Sequence, residues 1–153
     1  MIFYFLNILF SGLALGGALV VRRYLNPPSL EDSSQHYFNF HQQILYPVDT
    51  WLLVLTSMAA AVALGLLANH HVWVYLPTKL MLEGLICGLV SMVVLVAAIR
   101  SIDRKFSSWS PEDPPAEWRD RRSQWLRWHT LQAIFSFLAF SFYVIAALVP
   151  HNL

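Results

Sequence analysis

The sequence predicts an all-α protein: a bundle of four transmembrane helices with a short interfacial helix before the second span. Three observations predict it. Of 153 residues, 57% are hydrophobic and only 12% charged, against about 25% charged in an ordinary soluble domain. The apolar residues gather into four runs, each near the roughly 20 residues that a spanning helix needs. The basic residues collect beside and between those runs on what must be one face. A mean hydropathy of +0.51 agrees. One integral membrane domain over residues 1–153 is expected, with spans of about 2–21, 48–68, 79–99 and 125–149.

The first run, Ile2 to Val21, has no Lys or Arg before it, while Arg22 and Arg23 follow. No small-residue cleavage site precedes those arginines, so a retained helix is expected rather than a secretory signal. Its Gly12-Leu13-Ala14-Leu15-Gly16 carries the GxxxG spacing that lets another helix approach closely. Asn26-Pro27-Pro28-Ser29 breaks the helix, and Ser29 with Asp32 makes a start resembling a capping box. Tyr37, Phe40 and Ile44, with Phe38 and Leu45, recur at helical spacing and predict the interfacial helix, ending before Pro47. The second span opens at Val48, and its far half is rich in small residues from Ala59 to Gly65. An aromatic loop from Asn69 to Pro77 leads to the third span, which contains Gly84-x-x-x-Gly88. Residues 100–115 read as a polar loop, and Pro114 and Pro115 suit the first turn of the last helix.

Charge sets the orientation. Arg22, Arg23, Arg100, Arg104, Lys105, Arg119, Arg121, Arg122 and Arg127 fall on one side, and Lys79 alone on the other. By the positive-inside rule the two long loops are cytoplasmic and both termini extracytoplasmic, in an inner or plasma membrane. Ten basic residues against nine acidic ones leave no basic excess for nucleic acid. A single cysteine, Cys87, excludes an internal disulfide and any CxxC redox or metal pair. Adjacent His70 and His71 diverge on most backbones. His36 and His41 are five apart rather than the three or four that align ligands on a helix. No metal site is therefore expected.

Ionisable groups inside hydrocarbon are costly and are candidate functional residues. Asp49 opens span two. Glu83 lies a turn into span three from the opposite surface, where Lys79 is its i, i+4 partner. His129 and Gln132 lie a turn into span four from the basic side. Glu83 is too far from His129 to share a site, whereas Asp49, Asp103 and His129 can converge. On the last helix, Trp118, Trp125, His129, Gln132, Ser136, Phe140 and Tyr143 follow helical spacing and make one aromatic and polar face. Asp49 and Thr56 share a face in span two. An Asp–His pair formed there can hold His129 as a general base near neutral pH. The plainer alternative makes Trp118, Trp125 and Trp128 an interfacial belt and gives His129 a headgroup or backbone partner.

The stretch Arg122-x-x-Trp125-x-x-Trp128-His129, running from a charged loop into an apolar helix, resembles the anthrone oxygenase-like family of small four-helix membrane proteins. Ile102-Asp103-Arg104-Lys105 is similar to that family's segment after span three, and Phe40 to Val48 to the segment entering its second span. Asp103 stands where the family has Asn, and Gln132 where an Arg follows the histidine by three positions. The resemblance implies an oxygenase working without metal or flavin on a polycyclic aromatic small molecule, a phenolic ketone. It implies His129 as base, Asp49 or Asp103 as its orienter and Arg100 or Arg122 as anion partner, with Trp125 and Trp128 as pocket walls beside Gln132. The rival from another class is a non-catalytic accessory subunit of a larger membrane complex, joined to other membrane subunits through its GxxxG faces. A transporter fits less well, since the span centres carry almost no ionisable residue.

Overall fold

Among the described residues the chain is helical with no strand, and four helices are long and apolar enough to cross a membrane. A computed structural model describes residues 2–24, 34–69, 76–110, 112–113 and 115–149. The expected break at 26–29, the Ser29 cap, the His70-His71 loop, Pro111, Pro114 and the tail 151–153 lie outside them. The elements are α1 (Ile2–Tyr24), α2 (Ser34–Phe40), α3 (Tyr46–Asn69), α4 (Leu76–Val93), α5 (Arg100–Ser108) and α6 (Trp118–Leu148). Helix α6 packs along α4 and α1, and α3 packs against α1 and α4. Side chains such as Ile2, Phe5, Trp51, Phe137 and Leu148 remain largely exposed around the bundle. An apolar belt of that kind belongs against lipid acyl chains.

Three boundaries differ from the sequence expectation, and the first two differences position the candidate site. The short helix does not end before Pro47. A π-turn over His41–Leu45 joins α2 to α3, and the Tyr46 N–H donates to the His41 carbonyl five residues back. Proline in a regular helix lacks an N–H and its ring crowds the carbonyl four residues earlier. The wider turn immediately before Pro47 relieves that crowding, so the helix runs on. Residues 100–108, expected as loop, are also helical. A second π-turn, Val94–Ile99, leads from α4 into α5. Helix α5 is held by one inward face of Ile102, Asp103 and Phe106. The last helix starts at Trp118, three residues after Pro115, whose carbonyl accepts the Trp118 N–H.

Small residues set the spacing at the bundle's other half. A Cβ on Gly84 would stand 2.6 Å from the Tyr143 ring, and one on Gly88 3.6 Å from its hydroxyl. The Gly84-x-x-x-Gly88 spacing therefore receives a side chain of the same chain's last helix. Ser91 and Ser136 share a hydroxyl contact of 2.9 Å across the same α4–α6 seam. On α1, the Asn7 amide donates to the Ala59 carbonyl at 2.8 Å, fixing α1 against α3.

Candidate functional site

Four elements deliver polar side chains to one buried point at the end of the bundle where the basic residues lie. The face that reaches it runs Phe38, His41, Leu45, Asp49, Leu52 and Thr56, all buried, through α2, the π-turn and α3. From α6 come Arg122, Trp125, His129 and Gln132, again at one-turn intervals. From α5 comes Asp103. His41, Asp103, His129 and Gln132 have no exposed surface, and Asp49 and Trp125 are 1% exposed.

The geometry contains two carboxylate–imidazole pairs. His129 Nε2 lies 3.4 Å from Asp49 Oδ2, within ion-pair range but without hydrogen-bond alignment. His41 Nε2 lies 3.1 Å from Asp103 Oδ1 in a hydrogen bond. That same oxygen accepts the Trp125 indole N–H at 2.8 Å. Trp125 also packs on both imidazoles, with ring centroids 4.0 Å from His129 and 5.7 Å from His41. One indole thus connects the two pairs. Arg122 lies over the Tyr37 ring at 5.2 Å. Tyr37, Phe38, Phe106 and Trp118 meet edge-on or tilted and close the cluster on that side.

Several polar atoms here have no hydrogen-bond partner among the described residues: both Asp49 oxygens, both His129 nitrogens, His41 Nδ1, Asp103 Oδ2, the Tyr37 hydroxyl and Gln132 Oε1. A buried polar group left without a partner costs about 1–3 kcal/mol. Folded proteins hold only a few such groups per hundred residues. Their concentration at one locus makes it the candidate functional site.

The residues singled out from sequence are only partly brought together. Asp49 and His129 meet. Asp103 belongs to the neighbouring pair and reaches His129 through Trp125. Trp118 and Trp125 are buried inside the bundle, which corrects the interfacial-belt alternative for these two. Trp128 instead lines an open groove of about 320 Å³ with Ser101, Lys105, Arg121 and Gln124. Arg100 stands at the rim, its guanidinium donating to the Thr50 hydroxyl at 3.3 Å. Gln132 donates to the Ser136 hydroxyl at 3.3 Å. A turn or two deeper, Ser11, Thr56, Ser136 and Tyr143 border a cavity of about 20 Å³, room for about one water.

The site also contains His41, which the sequence reading considers only as a metal ligand beside His36. The signal was present in the spacing of three, four and four from Phe38 through His41 and Leu45 to Asp49. That spacing continues one helical face across Pro47. Among the described residues no group of three His, Cys, Asp or Glu is placed to hold a metal. Comparison with protein-family models, with curated proteins and with solved structures finds no match to this chain.

Proposed function

We propose that this chain is a multi-pass membrane enzyme resembling cofactor-independent anthrone oxygenases, with His129 as general base toward a lipophilic phenolic ketone. The observation that carries the reading is the buried His129–Asp49 pair, whose imidazole nitrogens have no hydrogen-bond partner among the described residues. A carboxylate at 3.4 Å orients the ring and stabilises the imidazolium formed on proton uptake. Burial excludes water and strengthens that interaction. Catalytic hydrogen bonds are commonly long before substrate binds, so the spacing suits a base at rest.

Deprotonating an anthrone gives an electron-rich enolate able to pass an electron to dioxygen directly. The base and an anion partner are then what the protein must supply. Arg122, buried on the same face of α6, is the anion partner of choice over Arg100, which is engaged at the rim. The groove carrying Trp128, Lys105 and Arg121 offers an amphipathic landing place for the aromatic substrate. Its size is at the lower end for small-molecule sites. The basic end of the bundle faces the cytoplasm in this reading, with both termini outside.

The test is oxidation of anthrone by the purified protein in nanodiscs, followed as dioxygen uptake and anthraquinone formation. The wild-type protein is expected to exceed empty nanodiscs, and His129→Gln to return to that background. A second reading, an accessory subunit of a membrane complex, is favoured by Gly16. It faces outward on α1, with nothing within 4 Å of where a Cβ would stand. Such an opening admits another helix. Co-purification with a large complex after mild detergent extraction, without turnover, supports that reading instead.

A further inference from the structure

We infer that the groove beside Trp128 holds an anionic phospholipid of the surrounding bilayer, its phosphate between Lys105 and Arg121 and one acyl chain along α4. The inference stands independently of the enzyme reading. If both hold, lipid and aromatic substrate compete for one groove.

The sequence shapes this groove from two helical ridges. On one side Ala97, Ser101 and Lys105 follow at intervals of four, sharing a face that runs from the second π-turn into α5. On the other, Arg121, Gln124 and Trp128 follow at intervals of three and four on α6. Small side chains at Ala97, Ala98 and Ser101 leave room between the long ones of Lys105, Arg121 and Trp128, and the space is about 320 Å³. A second groove of about 240 Å³ is lined by Met92, Val93, Val96 and Ala97. Ala97 belongs to both, so the two are contiguous.

Depth separates their characters. The hydrocarbon core takes about 20 residues of helix, which counted from Lys79 end near Ile99. Met92, Val93 and Val96 therefore lie at acyl-chain depth, and Ser101 and Lys105 at headgroup depth. The half-buried indole of Trp128 suits the boundary between them. Together the grooves have the layout of a phospholipid, charged at the surface and apolar below.

Charge selects the headgroup. No acidic residue lines either groove, and Lys105 makes no ion pair among the described residues. Arg121 lies 3.8 Å from Glu117, with side chains 32% and 55% exposed, and a pair so open to water is weak. Arg121 also donates to Gln124 Oε1 at 3.3 Å. That bond steadies the guanidinium at the groove and leaves its other N–H groups for a phosphate. A zwitterionic headgroup offers the same phosphate but brings its own cation against Lys105 and Arg121. The positive-inside rule assigns this end of the bundle to the cytoplasmic leaflet, which is the anionic one.

The test is native mass spectrometry of the full-length protein in detergent, titrated with phosphatidylglycerol or phosphatidylcholine. Wild type should bind phosphatidylglycerol about tenfold or more tightly than phosphatidylcholine. Lys105→Gln and Arg121→Gln should each weaken phosphatidylglycerol about fivefold, the effect of one basic residue at an anionic surface. Glu117→Gln should tighten it, a gain that misfolding cannot produce. Ala97→Trp, at an exposed position, keeps both cations and should also weaken binding, by closing the junction of the grooves. Arg22→Gln with Arg23→Gln removes two exposed cations outside the groove and should leave binding within about twofold. Equal weakening in that variant, or no preference for phosphatidylglycerol, overturns the inference in favour of general surface charge. Displacement of the lipid by glycerol 3-phosphate, or an Ala97→Trp variant that binds as wild type does, overturns it in favour of a free phosphate site.

Discussion

Trp125 donates its indole N–H to Asp103 Oδ1 at 2.8 Å, inside a bundle end with no solvent-exposed surface at that carboxylate. The bond crosses from the last helix to the short helix α5, whose sequence is mostly polar. It therefore fixes an amphipathic segment onto the membrane bundle and aims the carboxylate at His41. Trp125→Phe keeps most of the ring and removes the donor, leaving Asp103 one partner short. The expected loss is about 1–3 kcal/mol, read from the unfolding midpoint in detergent. An unchanged midpoint contradicts the placement of α5.

Gly84 and Gly88 make a paired test of the α4–α6 seam. A methyl at Gly84 meets Tyr143 ring atoms at 2.6 and 2.7 Å and the Ala139 carbonyl oxygen at 3.3 Å. Gly84→Ala should destabilise by about 1–3 kcal/mol, as overpacking does. At Gly88 the nearest atom is 3.6 Å away, ordinary contact distance, and Gly88→Ala should stay within about 0.5 kcal/mol of wild type, as substitutions without a structural conflict do. Equal effects at the two positions would mean that Tyr143 does not fill this seam.

The serine pair at 2.9 Å between α4 and α6 predicts a smaller effect. Hydrogen bonds between membrane helices contribute about 0.6 kcal/mol on average. Ser136→Ala should cost more than that, since it also removes the acceptor of the Gln132 amide, and Ser91→Ala should cost less in the Ser136→Ala background, where the shared bond is already gone. Additive losses would show that the two hydroxyls act independently.

Orientation is tested with reporters. With nine of ten basic residues on one side, a reporter fused after Leu153 should lie outside the cytoplasm. A reporter inserted at Asp113, between α5 and α6, should be cytoplasmic. The opposite pattern inverts the topology and moves the candidate site to the outer surface.

The four spans were legible because apolar runs of membrane length have few alternative explanations. The inward face of α6 was legible as well: Trp118, Trp125, His129, Gln132, Ser136 and Tyr143 are buried, as their spacing requires, and Phe140 is half-buried. The meeting of Asp49 and His129 followed from equal depth on two such faces. His41 was hidden by Pro47, which reads as a helix end unless a π-turn precedes it. Helix α5 was hidden by its charge, since Arg100, Arg104 and Lys105 suggest a loop while Ile102, Asp103 and Phe106 form the buried side. Trp118 and Trp125 drew two readings, because membrane depth suggests a belt whereas helical phase turns them inward.

In the proposed function Asp49 and His129 act as one unit on a proton. The measurement that tests it most directly is a double-mutant cycle on anthrone turnover in nanodiscs, using wild type, Asp49→Asn, His129→Gln and the double variant. His129→Gln should lower kcat/KM about a hundredfold or more, in line with loss of a general base. The double variant should then fall no further, because residues that act as a unit are non-additive. Wild-type turnover equal to empty nanodiscs, or losses that simply multiply, would contradict the account.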